Sequence, residues 1–176
     1  MLRNKKLIYL VLAAMFLGIA LVLPFLTGQV PQIGSMLCPM HIPVLLCGFF
    51  CGPWYGAIVG FVAPLLRFAL FGMPPIFPTG VAMCFELAVY GGVSGALYRI
   101  LPKKPVNVYI SLIIAMVAGR GMWGMISAVL YGVDQSEFGW TAFVSGAFTT
   151  AIPGIVLQIV LIPVIVLTIK KYMHMR

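Results

Sequence analysis

Three ionisable side chains, Arg67, Glu86 and Arg120, lie inside long apolar stretches of this chain. A charge at the centre of a bilayer costs about 2.5–3.5 kcal/mol on insertion scales, so residues retained there face a partner or a watery cavity. Two arginines against one glutamate leave one positive charge over, and a buried unpaired charge demands compensation. The pattern therefore predicts an ion pair that locks helices together, a site for an anionic solute, or a pair that orients the second guanidinium for such a solute. Tyr90, four residues after Glu86, and Trp123, three after Arg120, share helix faces with those charges. His41 and Trp140 fall near the outer mouth. Thr149 and Thr150 precede Pro153-Gly154, and Gln158 follows a turn later, offering hydroxyls and an amide at cavity depth. The candidate substrate-binding residues are thus Arg67, Glu86, Arg120, Tyr90, Trp123, His41, Thr149 and Gln158.

Catalytic patterns are missing. There is no G-x-x-x-x-G-K-[ST] for ATP, no H-E-x-x-H and no G-x-S-x-G. The four cysteines, Cys38, Cys47, Cys51 and Cys84, form no metal pattern and read as small apolar filler. The expectation is a non-enzyme that holds no metal and no cofactor of its own.

The elements that must position these groups are membrane helices. The chain has 176 residues, 62% hydrophobic and 8% charged, against about 25% charged in soluble domains. Its net charge of +8 does not point to nucleic acid. Nine of the eleven Lys and Arg fall in three short clusters: Arg3, Lys5 and Lys6; Arg99, Lys103 and Lys104; Lys170, Lys171 and Arg176. Short basic clusters flanking apolar spans are a topology signal. An all-α polytopic domain over 1–176 is predicted, with six spans near 7–26, 40–52, 54–71, 80–100, 107–132 and 140–169 and both termini cytoplasmic. Outer loops 27–39, 72–79 and 133–139 then carry no Lys or Arg. Merging 40–71 into one bent helix would put Lys103 and Lys104 outside, against the positive-inside rule. The first apolar run is longer than the 7–15 residues of a signal peptide's core and reads as a retained helix.

Small residues recur at helical spacing: Gly56-x-x-x-Gly60 in the third span, Gly91, Gly92 and Gly95 in the fourth, Ala14-x-x-x-Gly18 in the first. Such faces let helices approach closely. The Ala14 and Gly18 pair of the first span is open to another subunit; the others read as packing within the chain. At about 1.5 Å per residue from the outer ends, Arg67 lies roughly 6–7 Å deep, Glu86 roughly 9 Å and Arg120 roughly 18 Å. That layout fits a cavity open to the outside. An autonomous proton-coupled carrier using Glu86, and an assembly protein without a ligand, are the competing readings.

Five stretches carry a family resemblance: Pro39-Met-His-Ile-Pro-Val-Leu-Leu-Cys-Gly-Phe-Phe-Cys-Gly-Pro53, Gly56-Ala-Ile-Val-Gly-Phe-Val-Ala-Pro64, Gly72-Met-Pro-Pro75, Glu86-Leu-Ala-Val-Tyr90-Gly91 and Gly119-Arg120. Through them the chain looks like an S component, the substrate-capturing subunit of an energy-coupling factor (ECF) vitamin transporter. The resemblance implies a six-helix subunit that takes a vitamin from outside and docks on a membrane coupling subunit driven by two cytoplasmic ATPases, so that ATP is used by the partners. The family's Ala-x-x-x-Ala docking pattern is matched here by Ala14-x-x-x-Gly18. The stretch from Pro39 to Pro53 most resembles the pantothenate-type branch, with folate, riboflavin, a B6 vitamer and a queuosine precursor as other cargoes. Arg120 or Arg67 would take a carboxylate, and Glu86 would orient an arginine or accept a ligand hydroxyl.

Overall fold

A computed structural model of the chain describes residues 2–27, 37–133 and 151–174. These form six α-helices: α1 (Leu2–Val22), α2 (His41–Cys51), α3 (Pro53–Phe71), α4 (Val81–Ile100), α5 (Pro105–Val133) and α6 (Ile152–His174). A tight helical turn, Leu23–Thr27, follows α1, and a wider turn, Ile76–Gly80, precedes α4. No strand occurs among the described residues. All but α2 are long and apolar enough to cross a membrane. Between their basic ends these helices expose many large apolar residues, including Leu7, Val117 and Val160, as a lipid-facing surface requires. The chain is a multi-pass membrane protein.

Helix α2 has 11 residues, about 16 Å of rise, half the hydrocarbon thickness of about 30 Å. Every residue of it but Phe50 is buried, which marks a helix enclosed by other helices rather than by lipid. Helices α1, α3, α4 and α6 all pack on it.

One residue, Gly52, separates α2 from α3. It has φ +95°, a left-handed conformation that side chains avoid. Pro53 then starts α3, where a missing N–H does no harm. In a continuous helix Gly48 and Gly56 would be about 12 Å apart. Here a Cβ on Gly56 would lie 2.8 Å from the Gly48 Cα. The chain therefore folds straight back on itself at Gly52, and a single bent helix over 40–71 is excluded. Arg99 closes the hairpin, donating from Nη2 to the Cys51 carbonyl at 3.0 Å, where a cation complements the carbonyl end of α2.

Helix α4 is the centre of the bundle, packed on α3, α5 and α2. Apolar burial drives no helix association in lipid, so close backbone approach must supply it. Glycines make the approach possible. A Cβ on Gly91 would lie 2.2 Å from the Gly56 carbonyl oxygen, and one on Gly60 would lie 2.2 Å from that of Leu87. A Cβ on Gly48 would meet the Gly91 carbonyl oxygen at 2.4 Å. Three backbones thus touch around Gly91, and this fixes the rotation of α4 about its own axis. Glu86 and Tyr90 point inward as a result.

The end of the bundle at the turn between α4 and α5 is tied by basic residues. Lys170 Nζ donates to the Lys103 carbonyl at 2.8 Å, joining α6 to the turn between α4 and α5. Lys103 itself bonds the Tyr98 carbonyl and lies over the Tyr98 ring. Partial burial, then the nearby Lys170 and Arg99, hold its ammonium below the usual lysine range.

Candidate functional site

Glu86 is the hub of a buried polar cluster. It is 1% exposed, and its Oε1 lies 3.1 Å from Arg120 Nη1 and 3.4 Å from His41 Nε2. Tyr90, one turn along α4, directs its hydroxyl to the same carboxylate. Its ring stands edge-on to His41 with centroids 5.1 Å apart. Arg120 Nη2 donates to Cys38 Sγ at 3.3 Å. Three helices and the segment entering α2 therefore converge: His41 opens α2, Glu86 and Tyr90 come from α4, and Arg120 comes from α5.

Local sequence explains each placement. Cys38 has φ +46°, an unusual backbone angle for a side-chain-bearing residue, and its carbonyl accepts from the His41 N–H at 3.0 Å. That turn brings Cys38 and His41 to the cluster together. Gly119 precedes Arg120 because a Cβ there would be 2.8 Å from the Tyr90 ring and 3.1 Å from the Glu86 carbonyl oxygen. The glycine lets α5 lie against α4 so that the guanidinium reaches the carboxylate.

The depth count from the sequence set Glu86 and Arg120 about 9 Å apart along the membrane normal; the structure pairs them. Helix α5 has 29 residues, about 43 Å of rise, longer than the hydrocarbon core. Counting from its C-terminal end therefore overstates how deep Arg120 sits.

Arg67 is not in this cluster. Its Nη1 donates to the Leu21 carbonyl of α1 at 2.7 Å, and its guanidinium lies 5.3 Å from the Phe25 ring centre and 5.6 Å from that of Phe71. The last carbonyls of a helix lack intrahelical partners and attract cations. Arg67 thus caps α1 from α3, with aromatic faces adding cation–π attraction. The surplus positive charge counted in the sequence is this one. In the cluster the Glu86 and Arg120 charges face each other at 3.1 Å.

Gln158 lies on the inward face of α6 and is 1% exposed. Trp123 is half-buried on α5, and Ala14 and Gly18 are exposed on α1. Thr149 lies outside the described residues, as do Thr150 and Trp140. Cys38 is the member that sequence reasoning missed, having been taken for apolar filler. The available signal was its position: unlike Cys47, Cys51 and Cys84, it stands before a helix rather than inside an apolar run.

Several of these buried atoms have no hydrogen-bond partner. Among the described residues, the buried unpartnered side-chain polar atoms are His41 Nδ1 and Nε2, Glu86 Oε1, Arg120 Nε, and both amide atoms of Gln158. Glu86 Oε1 and His41 Nε2 are at ion-pair distance without an aligned hydrogen bond. Natively buried polar groups are rarely left so. Four of these six atoms belong to the His41, Glu86 and Arg120 cluster, and the other two are on Gln158.

The sequence matches the family model described as "ECF transporter, substrate-specific component" over residues 8–166. No curated protein and no solved structure matches it.

Proposed function

The chain belongs to the family of ECF transporter substrate-specific components, and we propose that it captures a small water-soluble vitamin, pantothenate, from outside the cell. In this reading all six helices contribute to a six-span topology in the cell membrane with both termini cytoplasmic. A membrane coupling subunit and two cytoplasmic ATPases then drive release inward. The chain itself binds no cofactor, and ATP is hydrolysed only by the partners.

The observation that carries the reading is the set of unpartnered polar atoms on His41, Glu86, Arg120 and Gln158 inside an apolar bundle. Leaving such groups unsatisfied costs about 1–3 kcal/mol each, and a hydroxyl- and amide-bearing solute would satisfy them. Pantothenate has both group types, and its branch of the family is the one the Pro39-to-Pro53 stretch resembles. Docking on the coupling subunit is assigned to the Ala14/Gly18 face of α1. That face is exposed, and a Cβ on Gly18 would meet nothing within 4 Å.

Native mass spectrometry of the detergent-purified chain, followed by calorimetric titration with pantothenate, tests the capture step. Pantothenate should be bound by the chain alone and lost in Arg120→Ala. Vesicles holding this chain alone should show no uptake, and vesicles holding it with the coupling subunit and ATPases should show ATP-dependent uptake. Uptake by the chain alone that collapses with an uncoupler and with Glu86→Gln would replace this reading with a proton-coupled carrier.

A further inference from the structure

Gln158 has a carboxamide with neither atom bonded, in a residue that is 1% exposed. It stands in the buried row Ala151, Gly154, Gln158, Ile162 and Val166 of the α6 region. Helix α6 packs on α2 and α5, the helices that carry His41 and Arg120. Gln158 lies about 9 Å from the start of α6 and Glu86 about 7–8 Å from the start of α4, and the Lys170–Lys103 bond puts the far ends of both helices on the same side of the bundle.

The unpartnered amide of Gln158 carries both bond types, Nε2 as donor and Oε1 as acceptor. In the cluster, Arg120 Nε offers a further N–H donor, while Glu86 Oε1 already faces Arg120 Nη1. The two full charges already face each other at 3.1 Å. A carboxylate brings acceptors only, and at Gln158 would leave Oε1 without a donor. An uncharged group with a donor beside an acceptor meets both halves of the amide.

We propose that Gln158 is a specificity-determining residue that reads an uncharged donor–acceptor edge of the ligand, an amide or a hydroxyl beside a carbonyl, while the ligand's carboxylate stays outside the cluster. The inference rests on the ligand-capture reading. In pantothenate such an edge is the hydroxyl next to the amide carbonyl.

The test is calorimetric titration of the wild-type chain and Gln158→Leu with pantothenate and with panthenol, in which CH2OH replaces the carboxylate. Panthenol should bind within about fivefold of pantothenate, and Gln158→Leu should weaken both by about 10–100-fold. Leucine has a similar volume and removes the unsatisfied amide, so the unliganded variant should melt at or above the wild-type temperature. If it melts lower, Gln158→Met takes its place in the titration. Panthenol bound 100-fold or more weaker, or a Gln158 variant that binds as wild type does, overturns the inference. If wild type binds neither compound, the pantothenate assignment fails and native mass spectrometry decides the inference on whatever ligand co-purifies. A ligand with an uncharged donor–acceptor edge that is lost from Gln158→Leu supports it. A ligand retained by Gln158→Leu, or no ligand on wild type, overturns it.

Discussion

Gly60→Ala should part α3 from α4. The new Cβ would sit 2.2 Å from the Leu87 carbonyl oxygen and 2.4 Å from its carbonyl carbon. Carbon–oxygen contacts relax to about 3.3 Å, so the two helices must separate by about 1 Å. Neither can yield locally, because both obstructing atoms are mid-helix backbone. One turn away, a Cβ on Gly56 would meet the Gly91 carbonyl oxygen at 2.5 Å, so that contact is just as tight. A gap of 0.5–1 Å forfeits about a quarter to a half of each dispersion contact it opens, and overpacking of this kind costs about 1–3 kcal/mol. Alanine's better helix propensity returns up to about 1 kcal/mol, leaving a net loss of about 1–2 kcal/mol. Gly121→Ala in α5 is the control: nothing lies within 4 Å of its Cβ, so it should be neutral or stabilising by up to about 1 kcal/mol. Reversible unfolding in mixed micelles, titrated with sodium dodecyl sulfate, measures both. The separation should also weaken ligand binding in Gly60→Ala alone, since Glu86 rides on α4. Two variants within about 0.5 kcal/mol of each other would refute the argument that backbone contact, rather than side-chain packing, holds α3 to α4.

Arg120→Met leaves the Glu86 carboxylate buried without its cation and should cost about 3–5 kcal/mol. Adding Glu86→Gln should recover much of that loss in the same unfolding assay, and strictly additive losses would mean the pair is not coupled. Arg67→Met removes the cap on the Leu21 carbonyl and should cost about 1.5–3 kcal/mol with ligand affinity within a few-fold of wild type; calorimetry showing a hundredfold loss would put Arg67 back among the ligand contacts. Trp in place of Ala14 or Gly18 should leave stability and ligand binding unchanged while abolishing ATP-driven uptake in reconstituted vesicles. Unchanged uptake there would move the docking face elsewhere.

Much of the fold was legible because lipid imposes strong rules. Apolar length, basic clusters and the Cys51-Gly-Pro break located the helices, and the small-residue spacing named Gly56, Gly60 and Gly91 before their contacts were known. What the sequence could not supply was offset along the membrane normal. A 29-residue helix overshoots the hydrocarbon core, so depth counted from its end put Arg120 far from the Glu86 it contacts. Cys38 escaped for a related reason: a thiol becomes a partner for Arg120 only through a turn with φ +46°, and no periodicity encodes that turn.

The charge count shows a deeper limit. Two arginines and one glutamate were correctly seen to leave one positive charge over, and the inference from surplus charge to anionic ligand assumed that compensation comes from another ion. Arg67 is compensated by a backbone carbonyl at 2.7 Å and two aromatic faces, partners that carry no formal charge and so never enter a count. Once Arg67 is spoken for, an anion that takes Arg120 Nη1 must compete with Glu86, which holds it at 3.1 Å. Winning that contest would strand a buried carboxylate, which is the costly outcome of breaking such a pair. A ligand that instead bonds Arg120 through Nε leaves Nη1 on Glu86 and breaks nothing. If the proposed ligand is an acidic vitamin, its carboxylate is therefore best placed where it need not displace Glu86.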